Sequence, residues 1–85
     1  MKVAIYSLAK TIFEGEAVQL SCFTASGQLT ILDGHIPLMT GVSGPFMEII
    51  GRDGISRNRF PLSTGVMEVR PHSEVVVLVN AKEQL

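Results

Sequence analysis

Tryptophan is missing from this chain, cysteine occurs once, and charged residues fill only 18% of its 85 positions. Each scarcity closes off a class of function. The lone Cys22 makes no internal disulfide and no zinc site by itself, which excludes the stapled frameworks of small secreted domains. Seven Lys and Arg against eight Asp and Glu give a net charge of -1, which argues against partners held by phosphate neutralisation. No apolar run is long enough to cross a bilayer, so direct membrane insertion is not expected. Residues 1–9 open like a secretory leader, but Lys10 interrupts the apolar run and Glu14 and Glu16 follow, which points to the cytoplasm. A chain of this length holds one domain, read as residues 1–85, and buries only roughly 60% of its unfolded surface. Its stability is thin, and a partner that binds the folded form would add to it.

What the chain has is hydrophobic residues at 46%, cut into short runs by eight Gly and four Pro. Residues 3–8, 17–24 and 28–32 alternate with a period of two, which predicts strands rather than helices. Gly15, Ser26-Gly27 and Asp33-Gly34 mark turns between them. Pro37 holds 35–40 as an extended connection, and Gly41 and Gly44-Pro45 bracket a further short extended piece. Strands are predicted again at 46–50 and 65–70, while Arg57, Arg59 and Pro61 make 55–62 an edge strand. Val75 to Val79 does not alternate, so it is expected to be buried on both faces and to drive self-association if left bare. The prediction is an all-β fold of seven to ten short antiparallel strands, a sandwich or a flattened barrel.

Charge is distributed unevenly: Asp33 is the only ionised side chain between residues 17 and 47. Such a neutral stretch supplies central strands, or is covered by another chain. Candidates for chemistry are few. Glu14 and Glu16 stand two apart, which places them on one face of a strand without bringing them together for acid–base work. His35, His72, Asp33 and Cys22 lack any Cys-x-x-Cys or His-x-x-x-His spacing, so no metal is expected. Gly27, Gly34 and Gly41 precede no helix and build no phosphate cradle. Arg52, Arg57 and Arg59, with Asn58 and Phe60, suggest the alternative of a small β-barrel that binds single-stranded nucleic acid or another anionic polymer. A third reading makes Asp33 and His35 the centre of a small enzyme, which would need a concave pocket around them. Beside His35 lie Ile36, Leu38 and Met39, an apolar group for a loop, and this favours contact with a partner.

The run Gly27-Gln28-Leu29-Thr30-Ile31-Leu32-Asp33-Gly34-His35-Ile36-Pro37-Leu38-Met39-Thr40 resembles the signature of the epsilon subunit of bacterial rotary ATP synthases, called delta in mitochondria. Its Gly-His-x-Pro-Leu-x-Thr core falls on Gly34, His35, Pro37, Leu38 and Thr40. Similar stretches are Thr11 to Val18, Phe60 to Val69 and Val75 to Leu78, so the likeness spans residues 2–81. The chain departs from the family pattern at Gln28, Thr30 and Asp33, where Glu, Gly and Pro are common. The resemblance implies a ten-stranded amino-terminal β-sandwich without catalytic residues or cofactors. It implies a central-stalk role, linking the gamma subunit to the c-subunit ring at the cytoplasmic face of a bacterial plasma membrane. By the same resemblance Gln28, Thr30, Leu32, Asp33 and His35 are candidate ring contacts, and Leu38, Met39, Thr40, Val42, Met67 and Val77 candidate gamma contacts. The family commonly continues into a helical hairpin that restrains hydrolysis. Since this chain stops at Leu85, coupling without that regulation is expected.

Overall fold

The computed structural model describes residues 1–80, so the last five positions of the expected 1–85 domain lie outside the described residues. Seven strands follow one another: β1 Lys2–Tyr6, β2 Thr11–Thr24, β3 Gly27–Leu32, β4 Leu38–Gly51, β5 Arg57–Pro61, β6 Thr64–Arg70 and β7 Glu74–Val79. The all-β expectation holds, with fewer and longer strands than ten. The difference lies in β2 and β4, which the sequence appeared to break at Gly15 and Gly44-Pro45. Both continue through a bend and change neighbours there. The first part of β2 pairs with β1 and the rest with β3 and β4. Likewise β4 pairs with β6 up to Ser43, then with β5 from Phe46.

These two bent strands fold one continuous sheet, in the order β3-β2-β1-β7-β6-β4-β5, into two layers, and the β2–β4 pairing closes it. One layer is β1, β7 and β6 with the first halves of β2 and β4. The other is β3 and β5 with the second halves. Gly44 is where β4 crosses between layers. A Cβ there would fall inside the carbonyl oxygen of Leu62, so only glycine lets the backbones approach this closely. The peptide N–H groups of Gly44 and Leu62 donate to Ser63 and Pro45 across the bend.

The pairing is not wholly antiparallel: β1 and β7 run parallel, Val3 beside Val75 and Ile5 beside Val77. A parallel pair needs a long connection. Here the whole chain between the two strands supplies it.

The core is built from alternate residues, Val3 and Ile5, Leu20 and Cys22, Ile31, Met47 and Ile49, Met67 and Val69, Val75 and Val77, and the parity changes at the bends of β2 and β4, where Ala17 and Val42 also turn inward. Among the described residues it contains no buried polar or charged side chain. Strand β7 lies between β1 and β6, yet it is not buried on both faces, since Leu78 keeps 58% of its surface exposed. Both lateral edges of β7 are paired, so the backbone route to self-association expected of it is closed.

Candidate functional site

The neutral stretch forms the second half of β2, all of β3 and β4 as far as Met47, with the Asp33-Gly34-His35 loop between β3 and β4. In β3 the alternation turns Leu29 and Ile31 toward the core and leaves Gln28, Thr30 and Leu32 exposed. At Gly34 the chain adopts φ 79°, left-handed backbone that glycine enters without strain. Its N–H donates to Ser73 Oγ at 3.0 Å, and the His35 N–H donates to the Leu32 carbonyl at 3.1 Å. Asp33 pairs with the α-amino group of Met1 at 2.7 Å, so the one charge of this stretch is matched within the fold. The imidazole of half-buried His35 is oriented by the Ile36 carbonyl, 2.7 Å from Nδ1. In the neutral ring this fixes the proton on Nδ1 and leaves Nε2 free to accept. The five candidate ring contacts therefore form one strand edge and the loop that follows it.

The candidate gamma contacts do not form one surface. Met39 is 69% exposed, and Leu38 and Thr40 are half-buried. Val42, Met67 and Val77 are core residues with 4% exposure or less, so none of them can present surface to a partner. At these three positions the expectation fell on side chains that turn inward. In β7 both parities are apolar, so local sequence does not say which one turns inward, whereas in β6 Glu68 and Arg70 mark the parity opposite Met67 as the outer one.

The outward parity forms a surface that no single motif announced. Val66 lies opposite Leu78 and Gly41, and Leu78 lies opposite Tyr6. One row further along, Val76 lies between Ala4 and Glu68, and Glu68 lies opposite Met39. Val66 at 48% exposure, Leu78 at 58% and Met39 at 69% make an apolar stripe across the outside of this layer. Charged residues border Val66 and Leu78: Glu68, which separates Met39 from Val76, meets Arg70 at 3.1 Å, and Arg70 lies 3.9 Å from Glu74. Tyr6 donates to Glu14 at 3.3 Å, and desolvation together with the Glu14 charge raises its phenol above the ordinary value. An apolar centre with a polar rim is the usual anatomy of a protein–protein contact.

The basic cluster does not form an anion platform. Glu48 holds Arg57 at 3.3 Å and Arg59 at 3.1 Å, and Arg59 lies 4.0 Å from the centre of the Phe46 ring. Phe60 turns inward, edge-on to Phe13 at 5.4 Å, and offers no stacking face. The Asp33 carboxylate, which an enzyme would need on the imidazole, is engaged with Met1 instead. A cavity of about 160 Å³ between the layers is lined only by Ile5, Ile12, Met47, Phe60, Pro61, Leu62 and Val79, with no acid, base or nucleophile. Among the described residues no three His, Cys, Asp or Glu side chains gather as metal ligands. Cys22 is buried in the core, and burial pushes its thiol up to about 11. No helix among the described residues is long and apolar enough to cross a membrane.

Residues 1–84 match the family model described as the ATP synthase, Delta/Epsilon chain, beta-sandwich domain. Two solved assemblies contain similar chains. One is the Euglena gracilis mitochondrial ATP synthase, OSCP/F1/c-ring, with a TM-score of 0.83 at 17% identity over 91% of this chain. The other is the central stalk and c-ring of the Tetrahymena thermophila mitochondrial ATP synthase, with a TM-score of 0.77 at 16% identity over 94% of this chain. At those identities the likeness is one of fold. The chain spans 48% and 63% of the lengths of those two chains.

Proposed function

The chain belongs to the ATP synthase delta/epsilon family through its beta-sandwich domain, and from that membership we propose that it is a non-catalytic central-stalk subunit joining the gamma subunit to the c-subunit ring. The observation that carries the proposal is the bare apolar stripe of Val66, Leu78 and Met39 on a closed sandwich with an apolar core. Close-packed sheets transmit strain without deforming, which is what a torque-bearing part requires. In this reading gamma covers the stripe, with Val76 continuing it beyond Glu68. The c-ring meets the exposed side of β3 at Gln28, Thr30 and Leu32 and the loop at Asp33 and His35. His35 Nε2 then offers a hydrogen-bond position at the loop tip. The chain performs no bond-making step of its own and holds no cofactor. It sits peripherally on the membrane, at the cytoplasmic face of a bacterial plasma membrane. The test is capture of gamma and of detergent-solubilised c-ring by the full chain. Binding of neither partner by a folded chain overturns the reading.

A further inference from the structure

Among the described residues, β3 and β5 are the two strands that have one neighbour only along their whole length. They are treated differently. Strand β5 carries Arg57 and Arg59 and ends on Pro61, which lacks a donor, so a second strand there meets charge and a missing hydrogen bond. Strand β3, Gly27-Gln28-Leu29-Thr30-Ile31-Leu32, has no charge and no proline, and its register against β2 runs without a bulge. Natural edges are usually blunted by such devices, and their absence marks a strand open to pairing.

The backbone groups available on β3 follow from the turn. Thr24 pairs with Gly27 around a two-residue loop, so this is a hydrogen-bonded pair, and the alternation makes Cys22–Leu29 and Leu20–Ile31 hydrogen-bonded as well. The N–H and C=O groups of Gln28, Thr30 and Leu32 then point away from β2, apart from the Leu32 carbonyl, which accepts from His35.

We infer that free copies of this chain pair through β3, antiparallel and about a two-fold axis at Thr30. This register keeps the faces of the two sheets aligned, because residues of the same parity meet. Thr30 lies opposite Thr30 of the second copy, and Gln28 lies opposite Leu32, whose 52% exposed side chain it covers. Asp33, the nearest charge, lies opposite Gly27, so no like charges face each other. A threonine pair is a favourable cross-strand neighbour. A second copy is the occupant this edge matches in backbone and in side chains, Thr30 on Thr30 and Gln28 on Leu32 with no like charges opposed, and a symmetric contact of this kind closes as a dimer. The inference stands on edge geometry alone and does not depend on the stalk reading. If that reading holds, the pair is a form of the unassembled chain, because the c-ring contact uses the same residues.

Sedimentation equilibrium of the full chain is expected to show a concentration-dependent dimer. T30K and T30D each place like charges opposite one another and should weaken pairing by about 100-fold. An equimolar mixture of the two should regain the dimer, since lysine then faces aspartate. A mere folding defect would not be rescued by mixing. A monomer at every concentration overturns the inference. So does a dimer that persists in both single variants, and loss of that dimer in L78E would show that the apolar stripe had formed it.

Discussion

On the outside of the layer that ends in β5, Glu48 holds Arg57 and Arg59, and Arg59 covers Phe46. On the outside of the β1–β7–β6 layer, Val66 and Leu78 stand bare, and the ion pairs lie at the rim. The first surface uses its own side chains to satisfy its charges and shield its aromatic ring. The second leaves apolar area uncovered, at a cost of roughly 25 cal/mol for each Å² kept in water. In a small chain that cost matters. Exposed apolar area gathered in one stripe is therefore read as a surface formed for another chain, and the paired arginines as a surface formed for solvent.

Substitutions can break this contrast or sharpen it. The largest effect belongs to the inward parity of the bare layer. Met67→Ala removes a fully buried side chain and should cost about 2–5 kcal/mol in urea unfolding, because the sandwich closes the gap only in part. One position earlier, Val66→Ser should change stability by no more than about 0.5 kcal/mol. Equal costs at the two positions would mean that the stripe is not an outer surface. On the covered layer Glu48→Ala leaves two arginines without their partner and should cost on the order of 1 kcal/mol, and salt should reduce the difference. Binding of gamma should be unchanged by it.

The smallest effect is at the turn that leads into β5. Asp53 accepts hydrogen bonds from the Ser56 hydroxyl, the Ser56 N–H at 2.8 Å and the Ile55 N–H at 2.9 Å, which lower its carboxyl from 3.8 to about 2. A carboxyl lowered on folding contributes stability above its unfolded value and loses it as the pH falls through the folded one. The contribution should therefore fade between pH 4 and 2. Ser56→Ala should move the Asp53 carbon-detected titration upward and flatten that part of the stability curve. An unchanged titration would show that the hydroxyl contributes nothing.

Much of this fold was legible in the sequence because strands alternate and turns announce themselves locally. Arg57, Arg59 and Pro61 identified the edge strand. Gly15 and Gly44-Pro45 carried the same local signal as a true chain reversal, although the chain only bends there. The difference lies in partners far along the sequence. Glu48, which neutralises the arginines, is likewise visible only once the β4–β5 register places it opposite Arg59. Val42, Met67 and Val77 were assigned to the surface by resemblance, and the structure buries all three between the layers. For Val75 to Val79 the unreadable fact is that Leu78 stays exposed among the described residues, because the face of β7 that turns to the core is set by strands far along the sequence.

The most direct measurement is the affinity of purified gamma for the folded chain and for L78E, by titration calorimetry with thermal unfolding measured alongside. If the stripe is the gamma surface, the glutamate introduced at its centre should weaken binding by about 100-fold or more while the unfolding midpoint moves by only a few degrees. Unchanged affinity for gamma in a folded L78E would contradict the account.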